Sequence, residues 1–129
     1  MSEDGSTRVA RVAARIREDV MRMLLRGEIR DPAASGVSVS RVEVSGDLGV
    51  ATVRVRLDEL DAAPHRKKQA MAALSRASGF VRRELATSLG LRRVPEVRFV
   101  WDTGADHQAR VEELLEEIRA EAAAKESEE

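Results

Sequence analysis

Six apolar residues near the start of the chain, Val9, Val12, Ile16, Val20, Met23 and Leu24, recur at intervals of one to four residues. That spacing places them on one face of an α-helix. Thr7 stands where a helix N-cap belongs, and residues 1–7 are expected to form a flexible tail that ends there. Gly27 and Asp31-Pro32 close the helix. The pattern then changes to a period of two. Val37 and Val39 share one phase, Val42 and Val44 the other, which predicts a strand with a bulge near Ser40-Arg41. Residues 45–49 form a turn. Ala51, Val53, Val55 and Leu57 alternate with Val50, Thr52, Arg54 and Arg56, so a second strand buries one face and pairs with the first as a hairpin.

Helical spacing returns after Pro64, which suits a first turn. Ala70, Met71, Leu74 and Ala77 form the apolar face of one half. Ala77-Ser78-Gly79 is expected to interrupt the helix, and Val81, Leu85 and Leu89 carry the second half to a C-terminal Gly90. Val97, Phe99 and Trp101 mark a third strand. Val111, Leu114, Leu115 and Ile118 form a narrow stripe on a last helix, and residues 121–129, rich in Ala and Glu, are expected to fray. The order is α-β-β-α-α-β plus a C-terminal acidic helix, which makes a two-layer α+β domain. Its expected limits are residues 8–103, with the acidic helix and tail over 104–129. Two helices joined by a short glycine-containing turn, set within that order, are the arrangement of a KH domain.

Charge changes the picture more than composition does. The net charge is −1. Yet residues 64–95 hold eight basic side chains and the single acid Glu84, whereas residues 102–129 hold ten acids against Arg110, Arg119 and Lys125. A phosphate backbone responds to such local density, not to the total, so the basic segment is a footprint for nucleic acid. Arg8, Arg11, Arg15, Arg22 and Arg26 add a stripe beside the apolar face of the first helix. Aromatic residues are only Phe80, Phe99 and Trp101, too few for a platform on which several bases stack. The absence of cysteine excludes disulfides and thiolate sites. No apolar run reaches the ~20 residues of a membrane span, and a cytoplasmic monomer without cofactor is expected.

The chemistry points to binding, not catalysis. His65 and His107 lie in no metal-ligand spacing. Asp31 precedes a proline, Asp47 lies in a turn and Asp58 ends a strand, so each carboxylate has a local structural reason. Gly46 and Gly49 lack the Lys-Ser/Thr pair of a phosphate-binding loop.

Several stretches, in order, resemble the bacterial ribosome-binding factor A family. They are Arg8-Val9-Ala10, Glu28-Ile29-Arg30-Asp31-Pro32, Val42-Glu43-Val44-Ser45-Gly46-Asp47-Leu48, Ala51-Thr52-Val53-Arg54-Val55, Ala77-Ser78-Gly79-Phe80-Val81-Arg82-Arg83-Glu84-Leu85, Leu91-Arg92-Arg93-Val94-Pro95-Glu96-Val97-Arg98-Phe99 and Trp101-Asp102. The resemblance implies a type II KH-like fold in which an Ala-x-Gly kink, here Ala77-Ser78-Gly79, replaces the Gly-x-x-Gly loop. It further implies binding to the small ribosomal subunit and its precursor 16S rRNA during late maturation, on which 5′-end processing and growth in the cold depend. On this basis Lys67, Lys68, Arg76, Arg82, Arg83, Arg92 and Arg93 are candidate phosphate contacts, with close approach at Ser78 and Gly79, and with Arg11 and Arg15 in second rank. With Ala77 at the first glycine position, shape and charge of folded rRNA are favoured over single-strand sequence. The alternatives are a generic KH-type RNA binder, or an interaction module whose last helix pairs with a partner.

Overall fold

The computed structural model describes residues 5–59 and 62–128. Helix α1 (Gly5–Leu25) leads through a one-turn 3₁₀ segment (Pro32–Ala34) into strands β1 (Val37–Val44) and β2 (Val50–Leu57). Helix α2 (Pro64–Leu89), strand β3 (Glu96–Trp101) and helix α3 (Thr103–Glu128) follow. The sheet order is β1-β2-β3, with β1 antiparallel and β3 parallel to the central strand. Two parallel neighbours need a crossover between them, and α2 supplies it. Helices α1 and α2 cover one face of the sheet, and the core lies between the layers. Val12, Ile16, Val20 and Met23 enter it from α1, Ala51, Val53, Val55 and Leu57 from β2, and Ala70, Ala73, Leu74, Val81 and Leu85 from α2.

The α+β class, the hairpin and the strand faces agree with the sequence. The register slips between Val39 and Arg41, which is the expected bulge. It returns Val42 opposite Val53 and Val44 opposite Ala51, so both valines face the core side despite their change of phase. Gly90 caps α2 with φ +62°, a left-handed conformation that glycine adopts without a Cβ clash.

Three expectations need correction. The first is the break at Ala77-Ser78-Gly79: α2 is one continuous helix, so the order is α-β-β-α-β-α, not α-β-β-α-α-β. Gly79 has no positive φ, and the Ser78 hydroxyl donates back to the Ser75 carbonyl at 2.9 Å, inside the helix. Leu74, Val81 and Leu85 are fully buried on both sides of the glycine, and that shared apolar face outweighs the ~1 kcal/mol cost of one helical glycine. The helix therefore runs through this point without a separate turn between two halves. Second, α1 begins at Gly5, so Thr7 lies within the first turn and is not its N-cap; of the expected tail, residues 1–4 lie outside those described. Third, α3 stays helical to Glu128 where fraying was expected. Its alanines and glutamates are good helix formers, and Arg110 and Arg119 pair with Glu113 and Glu116 one turn away, at 3.7 and 3.5 Å. The stripe Val111, Leu114, Leu115 and Ile118 is 43–57 % exposed, so it adds nothing to the core.

Candidate nucleic-acid interface

The loop after Gly90 brings distant parts of the chain together. Arg82 on α2 donates to the Val94 carbonyl at 3.1 Å and so ties this loop to the helix. Arg92 and Arg93, both exposed, project from the tethered loop. Arg8 from α1 and the β1–β2 turn complete a cleft of about 600 Å³ lined by Arg8, Arg82, Arg92 and Arg93, with Asp47 and Glu96 as its acids. The turn is rigidly bonded. Asp47 accepts from the Ser45 hydroxyl at 2.8 Å and the Gly49 N–H at 2.9 Å, and Ser45 Oγ accepts from Val50 N–H at 2.9 Å. The Ser45 hydroxyl and the Gly49 N–H hold the Asp47 carboxyl below the ordinary carboxylate range, and Arg93 adds to this. Four guanidiniums against two carboxylates leave the cleft positive. The planar fork of arginine suits bidentate contact with phosphate.

The other candidates divide into free and committed groups. Arg83, Lys68 and Arg11 are exposed, and none is paired with another described residue. Arg76 is committed: its guanidinium donates to Asp31 Oδ2 at 2.8 Å. That bond, together with the Ala33 N–H on the other oxygen at 3.0 Å, holds the Asp31 carboxyl below its usual range. Arg66, counted in the basic segment, donates to the carbonyls of Ala33 and Ser35 at 2.8 and 2.6 Å and anchors the 3₁₀ segment. Lys67 lies over the Trp101 ring, 5.1 Å from its centroid. Lys67 and Lys68 also lie fourteen or more residues from Arg82 along one helix, about 20 Å at 1.5 Å per residue. They do not line the arginine cleft. Gly79 is exposed, and a Cβ placed there would meet only Arg83 Nη1 at 3.7 Å, so nothing in the fold itself demands glycine.

The α1 stripe joins the same side as the cleft. Arg15 donates to the Ser88 hydroxyl at 3.1 Å, near the end of α2, while Arg8, two turns earlier on the same stripe, lines the cleft. Asp19 controls that junction. It is 1 % exposed, accepts from Ser88 Oγ at 2.5 Å, and pairs with Arg22 at 3.0 Å and Arg15 at 3.7 Å. Asp19 thus sets a buried acid among the stripe's arginines, and Arg15 and Arg22 are largely structural. Sequence reasoning missed Asp19 as a buried group and Arg8 as a cleft residue. The spacing Arg15–Asp19–Arg22, i to i+4 to i+7, carries the signal for the first. Arg8 was visible in the stripe, but nothing local says that the loop after α2 folds back onto it.

Among the described residues no group of three or more His, Cys, Asp or Glu could hold a metal ion. No described helix is long and apolar enough to cross a membrane. The molecule is thus a small two-layer α+β domain in which four arginines converge in one cleft, joined to an acidic helix. Comparison with known proteins narrows this class: the ribosome-binding factor A family matches residues 8–115, and the chain belongs to that family. Ribosome-binding factor A of Sorangium cellulosum is 46 % identical over 114 residues, 87 % of this chain and 89 % of that protein. The solution structure of a Thermotoga maritima protein, described as a putative ribosome binding factor A, superposes with a TM-score of 0.65 at 33 % identity, over 80 % of this chain and 94 % of that one. A homology model of the Thermus thermophilus factor, fitted into a cryo-EM map of a 30S–RbfA complex, superposes with a TM-score of 0.53 at 26 % identity, over 67 % of this chain and 87 % of that one.

Proposed function

We propose that this protein binds the small ribosomal subunit through its rRNA during late maturation, as a non-catalytic assembly factor. Family membership together with the cleft of Arg8, Arg82, Arg92 and Arg93 carries the proposal. The cleft and the adjoining α1 stripe grip phosphates and hold an immature rRNA conformation, and the work is done by binding energy, not bond cleavage. Processing of the 16S rRNA 5′ end then follows as a consequence of correct folding, and demand for the factor rises in the cold, where misfolded RNA escapes slowly. The site of action is the cytoplasm. The test is co-sedimentation of the full chain with isolated small subunits over a salt series. Binding should fall steeply as salt rises, because each neutralised phosphate releases counterions. Binding that ignores salt, or no binding at all, overturns the proposal. A second reading, in which α3 contacts a protein, is favoured by its exposed stripe of Val111, Leu114, Leu115 and Ile118.

A further inference from the structure

On the opposite flank of α2 from Arg82, a groove of about 520 Å³ runs between the segment that follows α1 and the middle of α2. Two of the sequence motifs meet there: Glu28, Ile29, Arg30 and Asp31 from one side, and Arg76, Ala77 and Phe80 from the other. Neither pairing was needed for the arginine cleft. The groove has an apolar floor, since Ile29 and Ala73 are buried, and the half-buried ring of Phe80 forms part of its wall. Asp31 and Arg76 satisfy each other at 2.8 Å, which fixes the guanidinium in place. Glu28 and Arg30 remain: the Glu28 N–H closes the end of α1 on the Met23 carbonyl at 2.9 Å, but neither side chain has a hydrogen bond or ion pair among the described residues. The groove charges cancel, two arginines against two carboxylates, and an unpaired carboxylate repels phosphate. An uncharged flat ligand with hydrogen-bond donors fits instead.

We propose that this groove takes one unpaired base of the bound RNA. The base stacks on Phe80 and presents donors on its Watson–Crick edge to Glu28, while Arg30 at the rim meets the adjoining phosphate. Guanine suits the carboxylate best, because N1–H and N2–H lie side by side. Stacking on a single ring is tolerant of sequence, so the preference comes from Glu28. The groove has room for one nucleoside and not for a duplex. Arg83 lies one turn beyond Phe80 on α2 and is exposed, so a strand leaving the groove continues along a basic edge. This site rests on the proposed RNA function and gives it a second point of recognition.

The test uses the full chain, two RNA pentamers (UUGUU and UUUUU) and two variants, Phe80→Leu and Glu28→Gln. Phe80→Leu keeps an apolar side chain, and Glu28→Gln perturbs no observed contact, so the second remains informative if the first unfolds. Wild type should bind UUGUU more tightly, with NMR shifts at Ile29, Ala73, Ala77 and Phe80. Phe80→Leu should weaken both pentamers about tenfold, the scale of one lost stacked base. Glu28→Gln should abolish the preference for UUGUU. Shifts confined to the Arg82–Arg93 side, or both variants binding as wild type does, overturn the base site. So does failure to bind either pentamer by protein that still co-sediments with small subunits, a result that leaves the proposed function standing. Loss of co-sedimentation by wild type is the separate failure of that function.

Discussion

Arginine is the commonest cation in this chain, yet its copies do different work, and the difference lies in partners and not in sequence. Arg76 and Arg66 brace the segment between α1 and β1, Arg15 and Arg22 hold Asp19, and Arg92 stands free at the cleft. Asp19 is the residue where this matters most. Asp19→Ala leaves two guanidiniums and the Ser88 hydroxyl without their buried acceptor. A cost of ~2–3 kcal/mol is expected, below the usual figure for a buried pair because both arginines are half exposed. Chemical denaturation of the variant measures it. Arg76→Ala should reduce thermal stability, read as a lower melting temperature, because Asp31 loses the guanidinium that braces the segment between α1 and β1.

The Asp31–Arg76 bond also sets a pH dependence. Asp31 is held below its ordinary value by Arg76 first and by the Ala33 N–H second. A carboxyl depressed in the folded state contributes stability that is present above the unfolded value, near pH 4, and is lost as pH falls through the folded one. Asp31→Asn should therefore lower the melting temperature at pH 7, and the gap from wild type should close as pH falls through the folded-state value, below which both carry a neutral group. A gap that persists in acid means that the side chain acts by shape and not by charge.

At the scale of elements, the period-two strands and the amphipathic α1 were legible because burial on one face leaves its mark at every second or third residue. Val39 and Val42, out of phase with each other, even revealed the bulge. Gly79 misled, because local propensity favours a break while Leu74, Val81 and Leu85 bind both halves of α2 to one core. The space around Gly79 decides the next prediction. Its φ is not positive and the nearest atom to an added Cβ is the mobile end of Arg83, so Gly79→Ala should stabilise the protein by ~0.5–1 kcal/mol. Thermal melting of the variant reads this directly, and a fall in melting temperature would mean that α2 bends at this glycine. Helix α3 was legible as a helix but not as an undocked one, since a stripe of four apolar residues looks the same whether or not something covers it. With Val111, Leu114, Leu115 and Ile118 exposed, removal of the chain from Gly104 onward should leave the melting temperature of the remaining domain unchanged. A marked drop would show that the stripe is covered in solution.

Across the whole molecule the charges sort into a basic domain and an acidic appendage, and this was readable from residue counts alone. What counting could not resolve is where the positive charge gathers. Lys67 and Lys68 share a helix with Arg82 but lie about 20 Å from it, whereas Arg8, seventy-four residues away in sequence, shares its cleft. Long-range closure of the loop after Gly90 creates this site, and no local pattern encodes it. Arg82 holds that loop through the Val94 carbonyl, so charge reversal at Arg82 tests folding and binding together. Arg92 and Arg93 are the cleaner probes, being exposed on the loop surface. The most direct measurement is the affinity of isolated small ribosomal subunits for the Arg92→Glu/Arg93→Glu variant, beside a Lys67→Glu/Lys68→Glu control, with circular dichroism confirming that both are folded. The cleft variant should lose at least about tenfold in affinity and flatten the salt dependence, while the control loses less. Equal, undiminished binding by the folded cleft variant would contradict the assignment of this cleft as the rRNA-binding surface.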